Sequence, residues 1–350
     1  MKRKRVSCLV FPLVLLLLSV LFAGGVLLPL FREHFERQKV DVPAFSGRWF
    51  EKEIDGQYFF VTLNDGAMFY FEVENTEQVT LQFRVITQLE IPYFAYRIDG
   101  GEFTRAPITQ GTIQLPNQER HLVQVVIDGM TEREDKWNGE IGVAFAGIDS
   151  HGGSVEGTLP KQKRILFIGD SITEGVKALG DHAMSEYNSA THSFPWYTAE
   201  LLDAEPYFIG FGATGITMTG SFNTTAEMLD YFSAARPIAD NQLPDCDLIV
   251  LNTGTNDLEA SKEVFVAGYQ EVVLKLHDRY PDRTILCMIP LTQLHAEDIR
   301  EAVQGYDWCH VIETVDWEVS YTDGIHPDAA GAGEIAENLA LYVTEQLKWK

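Results

Sequence analysis

At 350 residues the chain is long enough for about two domains, since single domains commonly hold roughly 100–200 residues. It contains 51 acidic and 27 basic residues, which gives a formal net charge of −24 at pH 7. This charge excludes nucleic acid as an expected partner, because phosphate-binding surfaces need lysine and arginine. The acidic excess mainly indicates solubility.

The first 31 residues differ in composition from the rest of the chain. Four basic residues, Lys2 to Arg5, precede the stretch 6–31, which contains no charged residue. This stretch exceeds the roughly 20 residues needed to cross a bilayer, and the basic residues favour a cytoplasmic N-terminus. We expect residues 1–31 to be a basic tip and an uncleaved transmembrane signal-anchor. A juxtamembrane linker, residues 32–44, then leads to a catalytic region outside the cytoplasm; secretion after signal cleavage is the alternative.

The four cysteines show no metal-binding pattern, since the chain has no Cys-x-x-Cys and no His-Glu-x-x-His. Cys8 lies in the apolar N-terminal stretch. Cys246, Cys287 and Cys309 lie in or beside apolar runs, which is typical of small buried side chains. A disulfide between Cys287 and Cys309 stays open, because pairing cannot be deduced from sequence. We expect no metal and no cofactor.

Residues 45–150 have the pattern of an all-β domain. Runs rich in β-branched and aromatic residues alternate with turn formers such as Asn-Asp-Gly at 64–66. The runs occupy residues 57–63, 67–73, 78–86, 93–98, 121–127 and 140–146. No helical period interrupts them, so the pattern predicts about seven or eight strands in a β-sandwich or jelly roll.

The pattern changes after residues 151–163, which are small and polar with glycine and proline and are typical of a linker. In residues 164–350, apolar runs alternate with longer helix-like stretches, notably 261–279 and 327–347. The apolar runs are residues 164–168, 207–211, 248–251, 284–289 and 310–312. Strands that are apolar throughout and alternate with helices predict a parallel five-stranded sheet covered on both faces, a three-layer α/β/α fold.

Polar residues gather where the predicted parallel strands end. The four segments are Gly-Asp-Ser-Ile-Thr-Glu-Gly at 169–175, Gly-Phe-Gly-Ala-Thr-Gly-Ile at 210–216, Gly-Thr-Asn-Asp at 254–257 and Asp-Gly-Ile-His-Pro at 323–327. The carboxyl ends of parallel strands lie on one edge of the sheet, so these segments are expected to share one cleft.

Their chemistry is complementary. Ser171 is a weak nucleophile until a base takes its proton, His326 is a suitable base, and Asp323 can orient the imidazole. The N–H groups of Ser171 and Gly215 and the amide of Asn256 are candidate donors to an oxyanion. Each segment also has a simpler interpretation, a helix cap or a tight turn, but four such coincidences at the right strand ends favour one site.

In order and content, the four segments resemble the blocks of the SGNH hydrolases, also called GDSL esterases and lipases, over about residues 164–350. The resemblance implies Ser171 as nucleophile, Asp323 and His326 as the rest of a triad, and Ser171, Gly215 and Asn256 as the oxyanion hole. Of the glycines in the segment 210–216, Gly215 matches the spacing of the family's blocks better than Gly210 or Gly212.

A β-rich domain ahead of such a hydrolase resembles carbohydrate esterase family 2, which implies an acetylated poly- or oligosaccharide substrate. We therefore expect a serine esterase that removes small acyl groups, with acetyl preferred, from carbohydrate hydroxyls. Two alternatives stay open: a lipase or thioesterase for longer acyl chains, and a glycan-binding surface protein with a vestigial hydrolase domain. No obligate protein partner is expected.

Overall fold

A computed structural model describes residues 43–349, apart from 87–88, 133–141, 159–160, 162, 221–222 and 234–242. The expected anchor, residues 1–31, and all but the last two residues of the expected juxtamembrane linker lie outside the described residues. Within the described ranges, no helix has both the length and the apolar character needed to span a membrane.

The N-terminal part forms a β-sandwich of two antiparallel sheets. One sheet has the order β1-β4-β9-β6-β7 with β11 added on β4, and the other has the order β2-β3-β10-β5-β8. The strands are β1 Ala44–Ser46, β2 Phe50–Ile54, β3 Gln57–Thr62, β4 Met68–Glu74, β5 Gln78–Val85, β6 Tyr93–Ile98, β7 Thr104–Pro107, β8 Thr112–Gln114, β9 His121–Gly129, β10 Val143–Asp149 and β11 Ser154–Gly157. The expectation of a β-rich domain ahead of the parallel sheet is confirmed.

Alternating side chains of the two sheets form the core between them. Phe69 and Val125 from one sheet meet Phe145 and Leu81 from the other, and the rings of Phe69 and Phe145 lie 4.6 Å apart. Residues 154–157 belong to the sandwich, although 151–163 was expected to be an irregular linker. This short strand was missed because its polar residues give little apolar signal, whereas its backbone pairs with β4.

The C-terminal part contains a parallel five-stranded sheet, as predicted. Its strands are β12 Arg164–Gly169, β13 Glu205–Gly210, β14 Leu248–Asn252, β15 Ile285–Met288 and β16 Cys309–Ile312. In the sheet they lie in the order β13-β12-β14-β15-β16. Its helices are α1 Ser171–Glu174, α2 Phe194–Leu201, α3 Thr225–Ser233, α4 Lys262–Arg279, α5 Ala296–Ala302 and α6 Ala329–Gln346, with a 3₁₀ turn at Ala190–His192. Cys246, Cys287 and Cys309 are free thiols.

Both faces of the parallel sheet are buried, which explains its uninterrupted apolar strands. On β12, Ile165 and Phe167 face a cluster that includes α2 and α6. Leu166 and Ile168 face the opposite cluster, which includes α3, α4 and α5. Residues 164–349 therefore form the three-layer α/β/α arrangement, with the strand ends left open at one edge.

The sandwich packs directly against the α/β domain. Met68, Tyr70 and Val126 of the sandwich share an apolar cluster with Trp196 and Phe208. Both domains belong to one compact unit, Pro43–Lys350. The sandwich is thus joined to the domain that carries the predicted site through a buried interface.

A polar network holds the loop 176–189, which follows α1, against the sandwich. Arg105 on β7 donates to Asp128 and to the carbonyl oxygens of Glu186, Ser185 and Asn188 at 2.5–2.8 Å. Asp128, fully buried, also accepts from the Ser189 hydroxyl. The loop is therefore held by a charged residue of the other domain.

Candidate active site

Ser171 lies at the junction between β12 and α1. Asp170 is the N-cap residue of α1, and its Oδ1 accepts from the Ile172 N–H at 2.9 Å. The helix ends after one turn at Gly175, whose φ of 88° lies in the left-handed region that favours glycine. This strand, cap and short helix hold the Ser171 backbone at the carboxyl edge of the sheet.

The structure brings Ser171, His326 and Asp323 together in a hydrogen-bonded triad. Ser171 Oγ lies 2.9 Å from His326 Nε2, and His326 Nδ1 lies 2.9 Å from Asp323 Oδ2. The carboxylate accepts hydrogen bonds, so Nδ1 donates to it and Nε2 is left to accept from the serine hydroxyl. The predicted juxtaposition of these three residues, which lie up to 155 positions apart, is therefore present.

The loop 323–326 wraps around the Asp323 carboxylate. Asp323 Oδ1 accepts from the N–H groups of Ile325 and His326 at 3.0 and 2.8 Å, and Lys177 Nζ donates to Oδ2 at 2.8 Å. Partial burial alone would raise the pKa of Asp323, but these hydrogen bonds and that of the His326 ring outweigh it and hold the pKa well below its usual range. The carboxylate is therefore ionised wherever the enzyme is folded near neutral pH.

Two of the three expected oxyanion donors lie beside the triad serine. The Ser171 N–H is at the first position of α1, where a helix offers no internal acceptor. Asn256 Nδ2 donates to Asp170 Oδ2 at 3.4 Å and to the Thr214 carbonyl at 3.0 Å, so the amide bridges the loops after β12 and β13 and would donate to an oxyanion in place of one of these contacts. Both groups are at the carboxyl edge of the sheet beside the triad serine.

Gly215 differs from the expectation. Its N–H donates to the Met218 carbonyl at 3.0 Å, so this donor is engaged within its own loop. The structure gives another reason for a glycine here. A Cβ at this position would lie 2.5 Å from Asp257 Oδ2, a distance that no real side chain tolerates. In this structure Gly215 makes room for a carboxylate rather than offering a free N–H.

Asp257 organises the loop that follows Gly215. Its carboxylate accepts from the N–H groups of Ile216, Thr217 and Met218 at 2.6–3.1 Å and from the Thr217 hydroxyl at 2.7 Å. His295 Nε2 contacts the Asp257 carbonyl at 2.8 Å, and its Nδ1 is 2.7 Å from Asp298. Asp257 thus fixes the loop beside Asn256, a role that the local sequence does not reveal because its partners lie about 40 positions away.

Asp170 is completely buried beneath the nucleophile. Burial raises its pKa to about 7, in spite of the hydrogen bond from the Ile172 N–H, which favours the ionised form. The neighbouring Asp257 carboxylate raises it further. Asp170 therefore caps α1, and the next residue, Ser171, contacts His326.

Comparison with known proteins finds a family that resembles most of the α/β domain. Residues 167–333 match the GDSL-like Lipase/Acylhydrolase family. A search of the curated proteins finds no match to the chain.

Several solved structures share the fold over most of the chain. A family two carbohydrate esterase from Clostridium thermocellum in complex with cellohexaose has 20% identity and a TM-score of 0.70, over 87% of this chain and 99% of that one. An acetyl xylan esterase from the rumen bacterium Butyrivibrio proteoclasticus has 15% identity and a TM-score of 0.68, over 89% and 97%. A salicylyl-acyltransferase from a tetracycline biosynthetic pathway has 12% identity and a TM-score of 0.63, over 88% and 96%.

At these identities the likeness establishes a shared fold, which includes both the sandwich and the α/β domain. The expected resemblance to SGNH hydrolases with a family 2 type β-domain is confirmed. Residues 167–333 of the α/β domain are similar to the GDSL-like lipases and acylhydrolases, and this similarity supports a carboxylic ester hydrolase.

Proposed function

We propose that this protein removes acetyl groups from the hydroxyl groups of a poly- or oligosaccharide through an acyl-enzyme on Ser171. The observation that carries the proposal is the hydrogen-bonded line from Ser171 Oγ through the His326 ring to Asp323. The carbohydrate part of the proposal draws on the fold shared with a carbohydrate esterase and an acetyl xylan esterase.

In the first half of the reaction, Ser171 Oγ attacks the ester carbonyl carbon while His326 Nε2 takes the hydroxyl proton. The Ser171 N–H and the Asn256 amide donate to the oxygen on which negative charge develops. The bond to the sugar oxygen then breaks, and Nε2 returns its proton to that oxygen as the alcohol leaves. Asp323 accepts from Nδ1 throughout and stabilises the charged imidazole.

In the second half, water attacks the acetyl-serine while Nε2 takes one of its protons. Collapse of the second intermediate releases acetic acid, and the proton on Nε2 returns to Ser171 Oγ. Every proton transfer therefore passes through His326 Nε2, which lies 2.9 Å from Ser171 Oγ. No further group is required to balance the reaction.

The test is acetate release from acetylated xylan, mannan and peptidoglycan by the protein and its Ser171→Ala variant. We expect Ser171→Ala to lose activity by at least about 1,000-fold, because triad members act as a unit. Ser154→Ala, which alters an exposed serine of β11, is the matched control and should retain full activity. Full activity in Ser171→Ala would refute the proposal.

The longer-chain alternative makes a different prediction for substrate size. A lipase or thioesterase would hydrolyse decanoyl esters with a higher kcat/KM than acetyl esters. We expect the reverse order in a series of p-nitrophenyl esters, and a strong preference for decanoyl would support the alternative. The vestigial-domain alternative predicts no hydrolysis of any ester in this series. The complete Ser171–His326–Asp323 contact favours an active enzyme.

For location we propose a single-pass anchor with the catalytic region outside the cytoplasm. The proposal rests on the basic residues 2–5 and the uncharged stretch 6–31. Protease added to intact cells should digest the catalytic region while the protein stays in the membrane fraction. Recovery in the culture medium, lacking residues 1–31, would support secretion instead.

A further inference from the structure

Lys177 contacts the triad, although the mechanism above does not use it. Its Nζ donates to Asp323 Oδ2 at 2.8 Å, and the same oxygen accepts from His326 Nδ1 at 2.9 Å. The Lys177 and Asp323 side chains are only 20% and 18% exposed. One carboxylate oxygen therefore serves both a fixed cation and the catalytic imidazole.

The backbone of Lys177 is held as firmly as its side chain. Its φ of 59° lies in the left-handed region, which a residue with a side chain adopts only where its surroundings enforce it. The N–H donates to Asn188 Oδ1 at 3.0 Å, and the carbonyl accepts from Thr322 Oγ1 at 2.9 Å. Because Thr322 directly precedes Asp323, two contacts tie Lys177 to the triad loop.

We infer that Lys177 is a positioning residue that anchors the Asp323 carboxylate and opposes protonation of the His326 imidazole. The inference rests on the proposed function, because it concerns the same triad. Lys177 balances part of the negative charge that Asp323 presents to the ring. Without Lys177, the whole negative charge of the carboxylate would act on the imidazole and favour its charged form, which cannot accept the Ser171 proton.

The other charged and titratable groups around the triad do not replace Lys177. They are Asp181, 3.4 Å from Lys177 Nζ, the buried acids Asp170 and Glu174 at the start and the end of α1, and His192, which lines a small cavity with Pro327. The three acids, where ionised, would favour a protonated imidazole. Lys177 is the cation in direct contact with the triad carboxylate, so its removal should change the charge balance most.

The experiment compares the pH dependence of kcat/KM for p-nitrophenyl acetate in the wild type and three Lys177 variants. In Lys177→Gln and Lys177→Met, we expect the midpoint of the acidic limb to rise by about 0.5–1 pH unit. The plateau kcat should fall by about tenfold, because the carboxylate loses its anchor. Lys177→Arg keeps the charge and should restore the wild-type midpoint.

Lys275→Gln is the matched control, since Lys275 is similarly shielded and pairs with Asp230 and Glu271 on the surface away from the triad. A midpoint that does not move in a folded neutral variant would overturn the inference. A shift in Lys177→Arg equal to that in Lys177→Gln would also overturn it, because charge would then not be the cause.

A second readout separates this inference from the proposed function. In the Ser171→Ala background, the His326 ring resonances can be titrated by NMR without any substrate. The neutral Lys177 variants should titrate at higher pH than the parent, and equal titration would overturn the inference. Absence of ester hydrolysis by the wild type would refute the proposed function and leave the NMR comparison valid.

Discussion

At the scale of single residues, Asp170 predicts an unusual pH dependence of stability. Its pKa is raised in the folded protein, so its contribution is fully present below the unfolded value near pH 4 and is lost as pH rises through about 7. Asparagine at this position keeps an oxygen for the Ile172 N–H and does not titrate. The Asp170→Asn variant should therefore gain stability relative to the wild type as pH rises through this window.

The expected slope is up to about 1.4 kcal/mol per pH unit in the difference between the two unfolding free energies. Urea unfolding of both proteins at several pH values between about 4 and 7 measures it. Asp245→Asn, which alters an exposed acid, is the control and should give a difference that hardly varies with pH. A flat difference for Asp170→Asn would show that its carboxyl titrates normally.

A variant of Asn256 tests whether this residue belongs to the oxyanion hole. Replacing it with alanine removes a side-chain donor and should lower kcat by about 100- to 1,000-fold with little change in KM, because the donor acts mainly in the transition state. Steady-state kinetics on p-nitrophenyl acetate measure both constants. Asn338→Ala, on the exposed face of α6, is the control. A kcat in Asn256→Ala close to that of the control would exclude Asn256 from the oxyanion hole.

At the scale of elements, the loop 176–189 links the sandwich to the triad. The sandwich holds this loop through Arg105 and Asp128, and the loop holds Asp323 through Lys177. The sandwich thus acts as part of the frame of the active site as well as a neighbouring domain. Because of this connection, we expect a change in the sandwich to affect catalysis.

Arg105→Met tests that connection. It leaves the fully buried Asp128 carboxylate without its cation, which should cost about 3–5 kcal/mol of unfolding free energy. The loop also loses hydrogen bonds to three of its carbonyls, so kcat should fall even at temperatures where the variant is folded. Urea unfolding and kinetics on the same samples measure both effects.

Arg84→Met removes an exposed ion pair with Asp55 on the other sheet and is the control. An exposed pair contributes about 0–1 kcal/mol, so its loss should leave kcat unchanged. If Arg105→Met were no more damaging than Arg84→Met, the loop would be held by other contacts.

The parts predictable from sequence were those with a local signal. The five parallel strands are uninterrupted apolar runs because both faces of the sheet are buried. Ser171 stands where the first run ends, and Asp323 and His326 lie in the loop before the C-terminal helix. Short strands such as β11 contain too few residues to show a regular alternation of apolar and polar side chains. Lys177 and Asp257 went unrecognised because their partners lie up to 146 positions away and are brought close only by the fold. The hydrogen bond that engages the Gly215 N–H could not be predicted, because it depends on the conformation of its loop, which residue spacing does not determine.

At the scale of the whole molecule, two domains of different architecture unite in one compact unit. In the proposed reaction, the α/β domain supplies the nucleophile, the base and the oxyanion donors from loops at one edge of its sheet. The sandwich supplies contacts that hold a catalytic loop, and the same pairing of domains extends over nearly the full length of the solved esterases with this fold. In the proposed function, the two domains therefore form one catalytic unit centred on Ser171.

The most direct test of that centre is mass spectrometry of the protein after reaction with a serine-directed fluorophosphonate. We predict one adduct per chain, located on the peptide that contains Ser171 and lost in Ser171→Ala. Labelling should also be strongly slowed in His326→Ala, because the base would no longer take the serine proton. An adduct on another residue, or undiminished labelling of Ser171→Ala, would contradict the account.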